Sequence, residues 1–391
     1  MDTHNITYLD NAATTRIRPE VLEAMEPVLG ETFGNPSSAH RLGQAARAAV
    51  ERARRRIAEA LEVEPRAVLF TSGGTEADNL AVLGAALAAR ATGGPFAVAV
   101  SSIEHKAVLG AAHAVAALGG VEVPIPVDSA GRVAMDALDE ALASPIAVVS
   151  VMWVNNEVGV TQDIEAVAKR CAASKVVFHT DAVQALGKIP CTIGALPIPL
   201  LSISGHKIGA PKGVGALICR DHTVVHPLIH GGGQQEGLRP GTENVAGAIG
   251  LAKAVELAVE ETDAVAAHTA SLRDALEHRV RESLPDAVIN GVNGPRAPHI
   301  SNISFPGTDS DSLIVQLDLA GIACASGSAC TTGSIEPSHV LTAMGVPPDL
   351  AVGSLRFSFG KDNTGADVDR VARVLPGIVE KVRSLTSSLR R

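Results

Sequence analysis

Lys207 stands where an apolar run ends. Ile198 to Ile203 reads as a buried strand, and Ser202-Ile-Ser-Gly-His-Lys-Ile-Gly-Ala-Pro-Lys-Gly213 carries it into small polar residues and a glycine-rich turn. An amine at the mouth of a strand, flanked by Ser204 and His206, can form a Schiff base, and burial lowers its pKa enough to make it a base. The other reading of Lys207 is a solvated loop lysine. A second stretch, Thr71-Ser-Gly-Gly-Thr-Glu76, sets two glycines and hydroxyls just before an expected helix. Backbone N–H groups and the positive end of that helix form an anion site suited to a phosphate, unless the turn is purely structural. A third stretch, His179-Thr-Asp-Ala-Val-Gln184, ends an apolar strand in Asp181. An acid there is costly to bury unless a cation meets it. Helix capping is the alternative for Asp181, as a satisfied, partly buried histidine is for His105 in Ile103-Glu-His-Lys106.

The glycine-rich letters fit neither G-x-x-x-x-G-K-[ST] nor G-x-G-x-x-G, and Gly231-Gly-Gly-Gln-Gln-Glu-Gly237 has Glu236 where a dinucleotide loop needs its last glycine. The combination points elsewhere. A Schiff-base lysine, a phosphate-binding turn and an acid able to hold a pyridinium nitrogen are what the protein side of pyridoxal 5'-phosphate chemistry requires. All three fall at strand ends of one expected sheet, which is where ligands of such sheets bind.

The elements that must hold these residues alternate. Strands are expected at Ala67–Thr71, Phe96–Ser101, Val121–Val127, Ile146–Val151, Val176–Thr180, Leu200–Ile203 and Gly215–Cys219, with helices starting near Thr75, His105, Met135 and Asp163. That pattern predicts an α/β fold with a mostly parallel seven-stranded sheet and helices on both faces. An earlier helix is expected from about Ser38 to Leu61. Further strands at Ile300–Phe305, Ile322–Ala323 and Leu355–Phe359, with a helix from about Asp367, predict a smaller α+β C-terminal domain. At 391 residues the chain exceeds what one core supports. The expected division is a large cofactor-binding domain over 16–258, and a small domain formed by 1–15 and 259–391.

Hydrophobic residues make up 46% of the chain and charged ones 19%, with a net charge of −9 and no concentrated basic run. This composition excludes a disordered chain and gives no nucleic-acid footprint. Five cysteines, an odd set without a C-x-x-C pair, argue against a disulfide framework and a zinc site and for a reducing compartment. No segment is long and apolar enough to span a bilayer, and MDTHNITYLD does not read as a signal peptide, so a cytoplasmic protein is expected. Ile322-Ala-Cys-Ala-Ser-Gly-Ser-Ala-Cys-Thr-Thr-Gly-Ser334 holds two of the cysteines among small residues. Few fixed contacts are expected there, which suits a thiol that reaches a buried substrate and then carries sulfur outward. The alternative is a pair of ordinary buried cysteines.

The sequence resembles the cysteine desulfurases of the NifS/IscS type, within the class V, fold-type I pyridoxal-phosphate-dependent transferases. The likeness runs nearly end to end through YLDNAATT, GNPSSAH, FTSGGTEADNLA, SSIEHKAVL, VNNEVGVTQDI, HTDAVQALGKIP, SISGHKIGAPKGVGAL, GGGQQEGLRPGTEN, SGSAC and SLRFSFG. The resemblance implies that Lys207 carries the cofactor, Asp181 pairs with the pyridine nitrogen, Gln184 bonds the ring hydroxyl and His105 stacks on the ring. Asn156 is implied near the ring and the substrate carboxylate. Gly74, Thr75, Ser204 and His206 are implied at the phosphate, with Thr242 from the partner subunit of a homodimer, and Arg356 receives the substrate carboxylate. Cys330 aligns with the persulfide-forming nucleophile, while Cys324 is expected to pack. The implied reaction takes sulfur from L-cysteine, leaves L-alanine and loads Cys330, with Lys207 and His105 moving protons. The loop carrying SGSAC matches the long-loop group. The ending SLTSSLRR lacks the longer tail by which housekeeping members engage their scaffold, so the sulfur-acceptor protein stays open. Iron–sulfur cluster assembly is the default destination, with tRNA thiolation and DNA phosphorothioation as others. The alternatives to desulfuration are a selenocysteine lyase, another class V enzyme, and a non-enzymatic sulfur carrier or scaffold.

Overall fold

The computed structural model describes residues 6–326 and 337–389. Cys330, with residues 327–334 of the expected nucleophile loop, lies outside the described residues. Strand β1 (Thr7–Tyr8) opens the chain, followed by helices α1 (Pro19–Gly30) and α2 (Arg41–Ala60). Then strand and helix alternate: β2 (Val68–Thr71), α3 (Gly74–Ala91), β3 (Ala97–Ser101), α4 (Lys106–Ala117), β4 (Val121–Ile125), α5 (Met135–Leu142), β5 (Val148–Ser150), α6 (Ile164–Ala173) and β6 (Val177–Asp181). Next come β7 (Leu200–Ser204) and β8 (Gly215–Cys219), joined without a helix of more than one turn, and the paired helices α7 (Val245–Glu260) and α8 (Thr262–Ser283).

These strands form one seven-stranded sheet in the order β2-β8-β7-β6-β5-β3-β4. Strand β8 pairs antiparallel with both β7 and β2, and the other pairs are parallel. The reversal follows from the connection over 205–214, which is shorter than the dozen or so residues a parallel crossover needs. Pro124 is tolerated in β4 because β4 is an edge strand. The two-residue period of the strands divides their side chains between two cores. Phe70, Ala99, Val149, Phe178, Leu201 and Ile218 point to the face covered by α1, α2 and α7, and Leu69, Val98, Val148, Leu200 and Leu217 to the face covered by α3 and α4. On β6 the same period sends His179 and Asp181 to the α3 face, opposite Phe178.

The remaining elements are β9 (Val288–Ile289), β10 (Ile300–Ser304), α9 (Ser310–Leu319), β11 (Ile322–Ala323), β12 (Ala325–Ser326), α10 (His339–Ala343), α11 (Pro348–Ala351), β13 (Ser354–Ser358) and α12 (Gly365–Leu389). An antiparallel sheet ordered β12-β13-β10-β9 shares a core with α8, α9 and α12, built on Leu276, Phe305, Leu313, Phe357 and Val379. The helical stretch after Thr242 is divided at Glu261, where Arg18 closes a bidentate pair at 2.7 Å on each oxygen. Helix α7 packs into the first core and α8 into that of the small sheet.

One segment joins the two sheets. Strand β1 pairs with β11, and residues 9–12 then run along β13: the Ser358 N–H donates to Leu9 O at 2.8 Å, and the Ala12 N–H to Ser358 Oγ at 2.9 Å. Beyond Ala12 the chain crosses to the turn that follows β7, where Thr15 N–H donates to His206 O at 2.8 Å.

Candidate active site

The carboxyl ends of β2, β3, β5, β6 and β7 open on one side of the large sheet, and the loops leaving them carry most of the expected residues. Lys207 closes a single 3-10 turn, Gly205–Lys207, directly after β7. Its Nζ donates to Ala12 O and Ala13 O, both at 2.7 Å. Burial pulls the amine down to about 8, helped by Arg356 and opposed by Asp181 and Asp10. A lysine in that range is part-neutral near pH 8, as a base or nucleophile needs to be.

Asp181, the last residue of β6, is 5% exposed. Its Oδ1 accepts from the Val183 N–H at 2.8 Å, and no ion pair to it is found among the described residues. Burial raises its pKa, and His105 and Lys207 nearby draw it back. His105 caps α4, its Nδ1 accepting from Ala107 N–H at 3.1 Å, and burial holds it below the usual histidine range while Asp181 opposes that. A cation brought to Asp181 would remove the cost of burying that carboxylate.

Helix α3 begins on Gly73, which has no side chain with which to cap it. A Cβ on Gly74 would lie 3.0 Å from Val183 Cγ2 and 3.4 Å from Ser204 Cβ, so the helix end, Ser204 and the loop after β6 converge there. An uncapped N-terminus facing a hydroxyl fits a phosphate. Thr75 is exposed, Ser204 is buried and His206 is half-buried, with His206 Nδ1 3.1 Å from Thr14 Oγ1. Together with Asp181, this set fits the aromatic cation and phosphate of pyridoxal phosphate.

Gln184 is nearby but engaged at both ends: Nε2 donates to Ala12 O at 2.8 Å, and Oε1 accepts from His299 Nε2 at 3.2 Å. Arg356, on β13, reaches across from the small sheet. Its Nη1 donates to Asn156 O at 2.8 Å and its Nη2 to Asp10 Oδ1 at 2.7 Å. Thr242 is exposed on the loop before α7 and is not drawn into this cluster within one chain.

Several participants were not singled out by sequence reasoning. Asp10 sits in a stretch that reads only as a strand running into small residues, although an acid among alanines and threonines was a signal. The Ala12 and Ala13 carbonyls give no signal at all in the letters. Lys188, 8% exposed, donates from Nζ to the Lys207 carbonyl at 2.8 Å, and burial brings it down to about 8. Glu104 is buried beneath the loop after β3, accepting from Ser101 Oγ and Met152 N–H at 2.6 Å each, and burial pushes it up to about 8. Glu157 is pushed up to about 7 by burial and accepts from Ser338 Oγ. Behind Asp181, His179 lies between Ser150 Oγ at 2.8 Å and Ser202 Oγ at 2.9 Å. Cys171, Cys191, Cys219 and Cys324 are free thiols, each pushed up to about 12 by burial, so none is a thiolate at neutral pH.

Known proteins resemble this chain over nearly its whole length. The Cysteine desulfurase IscS of Dictyoglomus turgidum is 45% identical over 379 residues, spanning 97% of this chain and 96% of its own. A solved structure described as a NifS-like protein superposes with a TM-score of 0.87 at 36% identity, covering 98% of this chain and 99% of that one. The crystal structure of DndA from Streptomyces lividans matches with a TM-score of 0.77 at 39% identity, over 90% of this chain and 99% of its own. The model of the class-V aminotransferase family aligns with residues 7–371, and the chain belongs to that family.

Proposed function

We propose that this chain is a pyridoxal-phosphate-dependent cysteine desulfurase, which takes the sulfur of L-cysteine, releases L-alanine and holds the sulfur as a persulfide on Cys330. The observation that carries the reading is the convergence of the Lys207 amine, the buried Asp181 carboxylate and the uncapped start of α3 at the strand ends. Similarity to proteins named cysteine desulfurase over nearly the full chain supports it. When bound, pyridoxal phosphate supplies an electron sink for the carbon skeleton of an amino acid.

The chain's own residues do the rest. Lys207 Nζ would hold the cofactor, and as a free amine it is the base placed to take the proton from the substrate Cα. The carboxylate of Asp181 would keep the ring nitrogen protonated, and His105 would stack on the ring. Gly74, Thr75, Ser204 and His206 take the phosphate, joined by Thr242 of a second copy in a homodimer. Gln184 would bond the ring hydroxyl. Arg356 and Asn156 take the substrate carboxylate, a directional guanidinium pairing. The Cys330 thiolate attacks the substrate sulfur, the C–S bond breaks, and the carbon fragment takes up protons to become L-alanine. His105, held neutral by burial, carries protons between solvent and the thiols.

The division into 16–258 and 1–15 with 259–391 puts Lys207 on the large domain and Arg356 on the small one, with the substrate between them. The acceptor is a sulfur-carrier or scaffold protein, with iron–sulfur assembly as the default pathway. A cytoplasmic location suits a thiol that must stay reduced. No helix among the described residues is long and apolar enough to cross a membrane.

Replacing Cys330 with serine tests the assignment. The variant is expected to bind the yellow cofactor as the wild type does, yet to release less than about a hundredth of the alanine from L-cysteine, because a hydroxyl is far less nucleophilic than a thiolate. Undiminished alanine release, or no persulfide trapped on Cys330 in the wild type by an alkylating probe, would refute the reading.

A further inference from the structure

Arg356 is 7% exposed, and its planar guanidinium carries five N–H donors. The Asn156 carbonyl takes Nη1 and the Asp10 carboxylate takes Nη2, while Nε is buried with no acceptor among the described residues. A buried guanidinium without a counter-charge is costly, and Asp10 is the carboxylate that meets it. Asp10 is itself held by its backbone. It bridges Ser358 on the same strand as Arg356, and its carbonyl accepts from Tyr8 Oη at 3.0 Å. The plane of the guanidinium is therefore fixed before any substrate arrives.

We propose that Asp10 is a positioning residue for substrate binding: it pins Arg356 so that the guanidinium is held in the orientation that receives the α-carboxylate of the amino acid. This rests on the reading of Arg356 as the carboxylate receptor. Asp10 does not touch the reacting atoms. Its effect is confined to ligands that carry a carboxylate, and it vanishes when Arg356 is absent. The turn just after Asp10 supplies the Ala12 and Ala13 carbonyls to Lys207, so the segment that orients the substrate's acid end also holds the free amine.

The test is a double-mutant cycle on the holoenzyme, read by the KM for L-cysteine and by the dissociation constants of L-alanine and L-alaninamide. Asp10→Ala is expected to raise the KM and the L-alanine constant about tenfold, the lower end of what losing one charge-assisted hydrogen bond costs. The loss falls on KM more than on kcat, and L-alaninamide binding changes less than about twofold. Asp10→Asn keeps an oxygen for Nη2 and is expected to lose only about threefold; should Asp10→Ala fail to fold, this variant's ratio of alanine to alaninamide decides. In an Arg356→Gln background, Asp10→Ala adds nothing further. An equal loss for alaninamide, a loss that persists without Arg356, or no loss at all while Arg356→Gln weakens alanine overturns the role of Asp10 alone. If Arg356→Gln leaves alanine affinity intact, the reading of Arg356 falls together with it.

Discussion

Replacing Lys188 with methionine separates the cost of a buried cation from the hydrogen bond it makes. The Lys188 amine is 8% exposed, and burial is the largest cause of its fall to about 8, with the Lys207 charge second. In the unfolded chain it titrates near 10.4. Below pH 8 both states are protonated, and the native state bears the charge where it is disfavoured. Between pH 8 and about 10.4 the unfolded chain holds a proton that the native state has shed, so native stability rises with pH across that window. The cost at pH 7 is about 3 kcal/mol. Methionine removes it and fills similar volume, but forfeits the 2.8 Å bond to Lys207 O, worth about 1 kcal/mol. Lys188→Met is therefore expected to be about 2 kcal/mol more stable than wild type at pH 7 and about 1 kcal/mol less stable at pH 10.5. Scanning calorimetry at the two pH values should show Tm higher by about 2 °C and then lower by about 1 °C, given some 2 cal/mol/K of unfolding entropy per residue. A difference that is the same at both pH values would refute the reasoning, because the hydrogen bond alone carries no such dependence.

Gly74→Ala places a methyl 3.0 Å from Val183 Cγ2 and 3.4 Å from Ser204 Cβ, in the hollow where the phosphate is expected. It should weaken pyridoxal phosphate binding by tenfold or more in a fluorescence titration while leaving Tm nearly unchanged, since alanine offsets the crowding with up to about 1 kcal/mol of helix propensity. Arg296→Met leaves Glu277, whose side chain is 3% exposed, without its bidentate partner at 2.7 and 3.0 Å. About 3 kcal/mol of stability should be lost in urea denaturation, the low end for a broken buried pair because Ser301 Oγ still donates to Glu277. A loss under about 1 kcal/mol would show that the pair is screened.

The large sheet was readable from sequence because each strand is an apolar run bounded by turn formers. The strand ends carrying Thr71, His179, Asp181 and Lys207 fell where the periodicity put them. Helix starts at His105 and Asp163 were readable through capping side chains, whose bonds to Ala107 N–H and Ala166 N–H are local. Helix α1 escaped because its N-cap, Arg18, makes no side-chain cap and Pro27 stands inside the helix. The antiparallel sense of β8 depends on the length of a connection rather than on its letters. Contacts between distant segments were hidden for a related reason: nothing near residue 10 specifies a guanidinium at 356. The double engagement of Gln184 by Ala12 and His299 likewise appears only once three separate segments meet.

The path of residues 9–15 sets the order in which this enzyme can be completed. These residues leave the ribosome among the first, yet the strand that clamps them, β13, is among the last to emerge. A nascent chain that stops short of Ser358 lacks the β13 contacts to Leu9, Asn11 and Ala12, and the carbonyls on which the Lys207 amine rests keep the Gln184 and Thr15 bonds. The segment that carries the Ala12 and Ala13 carbonyls therefore gains its full set of contacts only once β13 has been made.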